Sequence, residues 1–479
     1  MDKNLLKNIS YNTISNFLSL ILGFILNIVI ARSLQPKQMG EYSYTIWLIS
    51  FLSIVILLGI PNTLTKYIPQ FYNEKYKIKL LLCFLFKIVF LTFMFVSFVI
   101  LIYFFIFQRN FNFLIFVILG YLIASLNGIL KSYISGIEDF KTITINTFVT
   151  SFLQLILVIT FLEKEPSSNK MLKIYLFSLF ASTILFFISL KKELKEIFVT
   201  TEQVFLENDE KRRIKEYLMF ISFLIIINMI VWERSEIFFL KIFSTSEELA
   251  FYSIAFTLGY LPNKVLTFGN VLLPRMSKFY TEKDFSKISL YYKQLTEFIA
   301  LLIIPVYIFV FVFASDIVKI LYGENYMQVA YVLKIIVFAG IVSGIATIGS
   351  SFIQAVEKVD VSFKIGVFIT VINILLDFLL IPKYRSIGAA YANSISQILG
   401  CFLGTGYILY NFKFSFSFLK IVKFLVISYV IGKIVKLYFS SFSCIGMFIL
   451  FFVYILLFSI LNYKEIFKNI NFIYKSYYE

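Results

Sequence analysis

Apolar runs of about twenty residues recur along the whole chain, and they constrain its fold more than any other feature of the sequence. Because backbone groups in lipid must be hydrogen-bonded within their own segment, such runs are expected to form α-helices. We count about fourteen of them, so the sequence predicts an all-α polytopic membrane protein. The approximate limits of the predicted spans are 10–32, 42–63, 80–106, 111–134, 143–162, 171–190, 217–243, 249–273, 290–314, 329–354, 361–381, 387–410, 417–438 and 442–461.

Composition excludes several classes of protein. Hydrophobic residues make up 59% of the chain, whereas soluble domains contain roughly 45 to 50%. The net charge of +16 comes from basic residues that lie between the apolar runs. We attribute this charge to membrane topology and expect no nucleic-acid partner. The chain has no histidine, and its cysteines (Cys83, Cys401 and Cys444) are far apart in apolar runs, so we predict neither a metal site nor a cofactor.

Three sequence patterns occur in the same order in both halves of the chain, which indicates an internal duplication. Each copy holds six predicted spans, and an even number means that both copies enter the membrane in the same direction. We therefore expect two parallel six-helix bundles around a central cavity, followed by two additional helices. The matching segments are 32–43 with 241–253, 69–75 with 274–283, and 132–138 with 351–357.

The charge distribution predicts domain limits and topology. With a cytoplasmic N-terminus, roughly 28 basic residues fall inside and about 13 outside, which is the imbalance that the positive-inside rule requires. Both termini are then cytoplasmic, in a multi-pass protein of the cell membrane. The predicted domains are an N-terminal bundle at 1–190, a charged cytoplasmic linker at 191–216, a C-terminal bundle at 217–410, and two further helices with a tail at 411–479.

Charged residues inside the predicted spans are the candidate functional residues. Glu233, Arg234 and Glu236 interrupt the seventh apolar run, and each charge costs roughly 2.5 to 3.5 kcal/mol on insertion scales. A polar cavity would compensate for this cost, and an ion-pair cluster that joins helices is the alternative. Lys264, on the next predicted helix, has a side chain long enough to bridge the gap to Glu233. Asp377 is a single acid near a helix centre, for which polar packing and a functional role remain equally open.

The sequence contains none of the motifs that would indicate an enzyme. We find no phosphate-binding loop, nucleotide-binding glycine pattern, nucleophile elbow or zinc-ligand spacing. The predicted exterior loops are all short, which leaves little room for chemistry outside the membrane. We therefore predict a transporter, driven by an Na⁺ or H⁺ gradient, by the membrane potential or by the gradient of its own substrate.

A set of short segments along both halves of the chain forms a distinctive pattern. These segments are 30–34, 40–42, 304–307, 314–323 with Tyr326 and Ala330, 353–358, Asn373, 380–382 and 387–392. Together they resemble the oligosaccharide and O-antigen flippases of the multidrug/oligosaccharidyl-lipid/polysaccharide exporter superfamily. The resemblance covers nearly the whole length and implies alternating-access transport of a polyprenyl-pyrophosphate-linked sugar to the outer leaflet. One departure is that Tyr384-Arg385-Ser386 stands where relatives often have Tyr-Gly.

The resemblance also implies roles for individual residues and partners. Basic cavity residues hold the pyrophosphate in relatives, which makes Arg234 and Lys264 the candidates here. We add Arg32, although its position at the end of the first helix is also explained by snorkelling to the surface. Glu233, Glu236 and Asp377 are candidates for Na⁺ or H⁺ coupling. The implied partners are a lipid-linked glycan, membrane lipids, a polysaccharide polymerase and glycosyltransferases.

Three alternatives remain open from the sequence. A lipid II flippase and a cation-coupled multidrug antiporter belong to the same superfamily. The two additional C-terminal helices are compatible with a lipid II flippase, whereas the first helix lacks the acidic residue that drug antiporters typically need. A membrane glycan polymerase or ligase is the least favoured, because it normally requires a large exterior loop.

Overall fold

The computed structural model describes residues 3–107, 111–161, 166–199, 207–232, 235–265, 280, 285–356, 358–438 and 444–469. Regular secondary structure in these ranges is helical throughout, as the apolar runs predict. The chain divides into two compact units, Met1–Glu233 and Arg234–Glu479.

The first unit contains eight helices, and α3, α4, α5, α7 and α8 enclose its larger apolar core. A proline occupies the first turn of both α2 and α3, where its missing N–H costs nothing. Gly136 ends α5 so close to α3 that an added Cβ would lie 3.0 Å from Cβ of Ile68. The helices are α1 (Lys3–Ser33), α2 (Pro36–Leu57), α3 (Ile60–Gln70), α4 (Lys75–Phe107), α5 (Phe111–Gly136), α6 (Phe140–Phe161), α7 (Ser168–Val199) and α8 (Asn208–Trp232).

The second unit is built around α11 and α13, whose apolar segments are 72% and 67% buried, against 11% for α4 in the first unit. Lipid-facing helices expose apolar residues, so the contrast identifies α11 and α13 as the centre of this unit. Its helices are α9 (Glu236–Phe243), α10 (Ser246–Val265), α11 (Phe285–Val312), α12 (Ala314–Tyr322), α13 (Gln328–Ala355), α14 (Val359–Phe412), α15 (Phe418–Tyr438), α16 (Cys444–Leu461) and α17 (Tyr463–Asn469).

The helices confirm an all-α polytopic membrane fold. Within the described ranges, nine helices are long and apolar enough to cross a membrane. One of them, α14, contains two predicted spans that meet at Arg385, where the backbone leaves the helical region with φ 52° and ψ −126°. The seventh predicted span, 217–243, differs from the expected continuous helix. Here α8 ends at Trp232, Ser235 lies in a turn and α9 begins at Glu236.

The charged segment at 191–216 is largely helical where it is described. Residues 191–199 continue α7, and residues 208–216 begin α8. Both parts form ion pairs with the first turn of α4: Glu196 pairs with Lys75, and Glu210 pairs with Lys77 at 2.9 Å. These contacts attach the described parts of the segment to the first unit.

Candidate functional site

The first residues of α9 lie inside the second unit and begin a buried polar site. Ser235 is half-buried, and its hydroxyl can donate to Oδ1 of Asn373 at 3.1 Å or to Oδ2 of Asp377 at 3.3 Å. The next residue, Glu236, opens α9 and is fully buried. A carboxylate at a helix N-terminus interacts favourably with the helix dipole. The break between α8 and α9 therefore places an acid where the backbone itself helps to stabilise negative charge.

The two segments of α14 supply the rest of the site. Asn373 and Asp377 are four residues apart on the segment before Arg385, so they share one helix face. Asn393 lies on the segment after Arg385. The side-chain amides of Asn393 and Asn373 donate to Oε1 of Glu236 at 2.9 Å and 3.3 Å. We call Ser235, Glu236, Asn373, Asp377 and Asn393 the buried carboxyl cluster.

A second layer of side chains orients Asn393. Its Oδ1 accepts hydrogen bonds from Oη of Tyr260 at 3.1 Å and from Nε2 of Gln397 at 3.2 Å. With its oxygen engaged in this way, the amide must present its N–H groups to Glu236. Glu248 fixes the turn of α14, because its Oε2 accepts from the backbone N of Ser386 at 3.2 Å and from the Ser386 hydroxyl.

The cluster holds two acids with incomplete hydrogen bonding. Glu236 and Asp377 are 0% exposed, and Asn373 and Asn393 are 1% exposed. No residue in the described ranges donates to Oε2 of Glu236 or to Oδ1 of Asp377. No cationic side chain in the described ranges pairs with either acid. Two buried carboxylates in this situation are strongly unfavourable, so the arrangement favours uptake of a proton or a cation. Carboxylate, amide and hydroxyl oxygens are the hard ligands that alkali and alkaline-earth cations prefer.

The size of the acidic set favours a singly charged ion. Across the described part of the chain, no group of three or more His, Cys, Asp or Glu side chains is placed to hold a metal ion. The buried carboxyl cluster contributes two acids only. A proton shared between Glu236 and Asp377, or one Na⁺ ion, therefore suits this donor set better than a tightly bound divalent metal.

The sequence-predicted residues are only partly brought together. Glu236 and Asp377, both proposed for ion coupling, meet in the buried carboxyl cluster. Glu233 and Arg234 lie outside the described residues, so the suggested contact between Lys264 and Glu233 stays a prediction. Lys264 is exposed in the last turn of α10, and Arg32 is exposed in the last turn of α1, in the other unit.

The neighbour of Lys264 fixes the end of α10. Asn263 donates from Nδ2 to the carbonyl oxygen of Gly340 and to Oγ of Ser343, both at 3.0 Å on α13. Pro262 precedes it inside the helix, where a proline removes one backbone hydrogen bond. The amide contacts thus hold a weakened helix end in place, and the exposed Lys264 follows directly.

Asn393, Gln397 and Tyr260 are not among the sequence-predicted site residues, and the contact of Asn373 with Glu236 is not predicted either. The signal in the sequence is spacing: Asn373 and Asp377, like Asn393 and Gln397, are polar residues four apart within predicted membrane spans. Such pairs lie on one helix face and indicate a polar neighbour. Which neighbour they contact is decided by packing.

Comparison with known families identifies two models that match this chain. The model described as "Polysaccharide biosynthesis protein" matches residues 5–280. The model described as "Lipid II flippase MurJ" matches residues 248–465. The first match covers more than half of the 479 residues.

Curated relatives are similar at low identity. The lipopolysaccharide biosynthesis protein WzxC of Escherichia coli (strain K12) is 25% identical over 207 residues, which are 39% of this chain and 40% of WzxC. The capsular polysaccharide biosynthesis protein CapF of Staphylococcus aureus is 24% identical over 410 residues, which are 82% of this chain and 97% of CapF. The chain thus matches less than half of WzxC but nearly all of CapF.

A solved structure supports the fold. A structure of the lipid II flippase MurJ in an inward closed conformation superposes with a TM-score of 0.72. The superposition covers 95% of this chain and 99% of that protein, at 16% sequence identity. At this identity, the likeness establishes a shared fold only.

Proposed function

Because the chain belongs to the polysaccharide biosynthesis protein family, we propose that it is a flippase for a polyprenyl-pyrophosphate-linked oligosaccharide. The second family model, described as a lipid II flippase, supports a membrane transporter of flippase type rather than an enzyme. The cargo would be an O-antigen unit or another surface polysaccharide repeat, moved from the inner to the outer leaflet by alternating access. The match to the family model over residues 5–280 is the observation that carries this proposal.

The cargo requires cationic contacts inside the membrane. A pyrophosphate cannot enter hydrocarbon without compensation, whereas arginine and lysine provide charge-assisted hydrogen bonds. We propose Lys264, Arg234 and Arg32 as these contacts. The exposed positions of Lys264 and Arg32 support their assignment, because a substrate can reach them. The polyprenyl tail would remain in the bilayer.

We propose that the buried carboxyl cluster couples transport to an ion. Binding of Na⁺ or H⁺ at Glu236 and Asp377 would neutralise the cluster, and release would leave two buried charges that favour a different packing of α9 against α14. A gradient of the ion would then drive the transport cycle in one direction. One carboxylate oxygen of Glu236 and one of Asp377 have no hydrogen-bond donor among the described residues, which supports this role.

A lipid II flippase is the second candidate, and the family-model match at residues 248–465 favours it. Both candidates carry a polyprenyl pyrophosphate and differ in the attached glycan. We further propose location in the plasma membrane with both termini cytoplasmic, near the polymerase and glycosyltransferases that make the same polysaccharide.

Reconstitution in liposomes tests the transport proposal. A fluorescent polyprenyl-pyrophosphate oligosaccharide and fluorescent lipid II would be placed in the inner leaflet, and their access to an external quencher measured. We expect the wild type to move the oligosaccharide lipid faster than lipid II, and Lys264→Ala to slow it. Lys423→Ala, which changes an exposed lysine on α15, is the matched control. Absence of transport for both lipids would contradict the flippase proposal.

The coupling proposal has its own test. Transport would be measured with an Na⁺ gradient at equal pH, and with a pH gradient in the absence of Na⁺. We expect one gradient to accelerate the wild type and not the double variant Glu236→Gln, Asp377→Asn. Glu324→Gln, at an exposed carboxylate, controls for loss of charge. If the double variant still responds to the gradient as the wild type does, these two acids are not the coupling site.

A further inference from the structure

Lys131 in α5 of the first unit is a charged residue inside an apolar membrane span. The span comprises Phe113–Gly136, and Lys131 lies five residues before its end, which is about 7.5 Å along a helix. Its side chain is exposed. It makes no ion pair, hydrogen bond or ring contact with any residue in the described ranges. A cation in this position needs either lipid headgroups or a bound anion.

The surroundings of Lys131 differ from the lipid-facing side of α5. The exposed apolar residues of this helix are Ile115, Leu119 and Leu126. At 100° per residue, Lys131 lies about 140° around the helix from Leu126. The residues that share its face are small or polar and partly buried: Ala124, Asn127, Gly128 and Ser135. Large apolar residues cover a helix face that meets lipid, so this face is suited to a different environment.

Neighbouring helices border the face on both sides. On one side, Asn127 donates to Oγ of Ser182 at 3.0 Å and to Oγ1 of Thr183 at 3.2 Å, both on α7. On the other side, a Cβ added to Gly128 would lie 2.8 Å from Cδ1 of Leu57 at the end of α2. Lys131 follows these two residues by four and three positions, so its side chain emerges between α2 and α7.

The polar contacts continue behind this face. Oγ of Ser182 donates to Oδ1 of Asn146 at 2.9 Å, and Nδ2 of Asn146 donates to the carbonyl oxygen of Ser182 at 2.9 Å. Asn146 is 4% exposed on α6. These bonds hold α5, α6 and α7 together beside Lys131. Lys131 therefore lies beside a polar surface that these hydrogen bonds hold in place.

Lys87 of α4 provides a contrast within the same unit. It is also an exposed lysine in an apolar span. Its neighbours three and four residues ahead, Phe90 and Leu91, are each 58% exposed. Large exposed apolar residues indicate a lipid-facing position, from which the lysine can snorkel to the surface. Lys131 lacks such neighbours.

We propose that Lys131 binds the pyrophosphate of the lipid-linked cargo on the first unit. This assignment rests on the proposed flippase function and adds a residue that lies in neither the buried carboxyl cluster nor the set of Arg32, Arg234 and Lys264. A single ammonium can donate to phosphate oxygens, and the exposed side chain of Lys131 lies between the contacts of α5 with α2 and with α7. The lipid tail would remain in the bilayer.

Binding to the purified full-length protein tests the assignment directly. The probes are a short-chain polyprenyl pyrophosphate and the corresponding monophosphate. We expect Lys131→Ala to weaken pyrophosphate binding about tenfold, the loss typical of one charge-assisted hydrogen bond. Lys131→Arg should restore most of the affinity, and Lys87→Ala should leave it unchanged. Equal binding by the wild type and Lys131→Ala, or no binding by the wild type, would overturn the proposal.

Chemical labelling separates substrate contact from a structural role. In a variant without native cysteines, Lys131→Cys should react with a membrane-impermeant maleimide, and the pyrophosphate lipid should slow this reaction. Lys87→Cys should react only with a lipophilic reagent. If Lys131→Cys is labelled by the lipophilic reagent alone, position 131 faces lipid, and Lys131 is a snorkelling residue that does not bind the cargo. Transport in liposomes is scored separately, so a flippase that does not use Lys131 can be recognised.

Discussion

The side-chain amide of Asn393 donates a hydrogen bond to Oε1 of Glu236 at 2.9 Å, although the two residues are 157 positions apart in the sequence. Both side chains are almost completely buried. The bond joins the first turn of α9 to the second segment of α14. It therefore connects the start of α9 with the part of α14 that follows the turn at Arg385. Both of these segments contribute side chains to the buried carboxyl cluster.

Loss of this amide should destabilise the second unit. In Asn393→Leu, Oε1 of Glu236 loses its shorter hydrogen bond inside an apolar region, which should cost about 2 kcal/mol of unfolding free energy. Thermal unfolding in detergent would measure the effect as a lower Tm. Asn411→Leu is the control, because Asn411 is exposed on the same helix and its side-chain amide donates to the carbonyl oxygen of Tyr407 in the same helical turn. Equal Tm values for both variants would contradict the prediction.

Gly340 should not tolerate alanine. An added Cβ would lie 2.5 Å from two ring carbons and the hydroxyl oxygen of Tyr307, and Tyr307 is fully buried in the centre of the unit. Overpacking of this kind costs about 1 to 3 kcal/mol, so we expect a lower Tm. Gly404→Ala is the matched control, since nothing lies within 4 Å of its added Cβ. It should be neutral or stabilising, because alanine favours the helix.

Replacement of Arg385 with glycine should stabilise the protein. Arg385 has φ 52° and ψ −126°, a backbone conformation that glycine adopts far more easily than arginine. Relief of this strain should contribute about 1 kcal/mol, visible as a higher Tm. Lys383→Gly, two residues earlier, should instead lower the Tm. A decrease for Arg385→Gly would mean that the arginine side chain makes a stabilising contribution that outweighs its strain.

Lys420 should be essential for attaching the last helices. Its ammonium pairs with Glu297 of α11 at 2.7 Å and with Glu465 of α17 at 2.9 Å, and the side chain of Glu297 is 3% exposed. Lys420→Met leaves a buried carboxylate without its cation, a loss of about 3 kcal/mol. Proteolysis after α16 should become faster, and the Tm should fall.

Two further variants control this experiment. Lys423→Met removes an exposed lysine from the same helix and should have little effect. The double variant Lys420→Met, Glu297→Gln should be less destabilised than Lys420→Met alone, because the uncompensated charge is gone. The single variant Glu297→Gln completes the comparison. If the loss of unfolding free energy in the double variant equals the sum of the losses in the two single variants, Lys420 and Glu297 do not act as a pair.

Sequence patterns predicted the helices of the fold better than the contacts between those helices. The apolar runs identified the membrane helices, and the charges within them singled out Glu236 and Asp377. The contacts of these acids could not be predicted, because Glu236 meets Asn373 and Asn393 through the packing of α9 against α14. Periodicity within one helix reports which residues share a face and carries no information about the helix opposite.

The sequence by itself determined that this chain is a helical membrane protein, since the length and apolarity of its runs leave no other way to satisfy the backbone in lipid. It also determined the family, through motifs spread along both halves. Tertiary structure alone decided that α8 and α9 are separate helices, that Arg385 joins two segments of α14, and that Glu236 and Asp377 share one site. These features depend on contacts between residues more than a hundred positions apart, where local propensity has no influence.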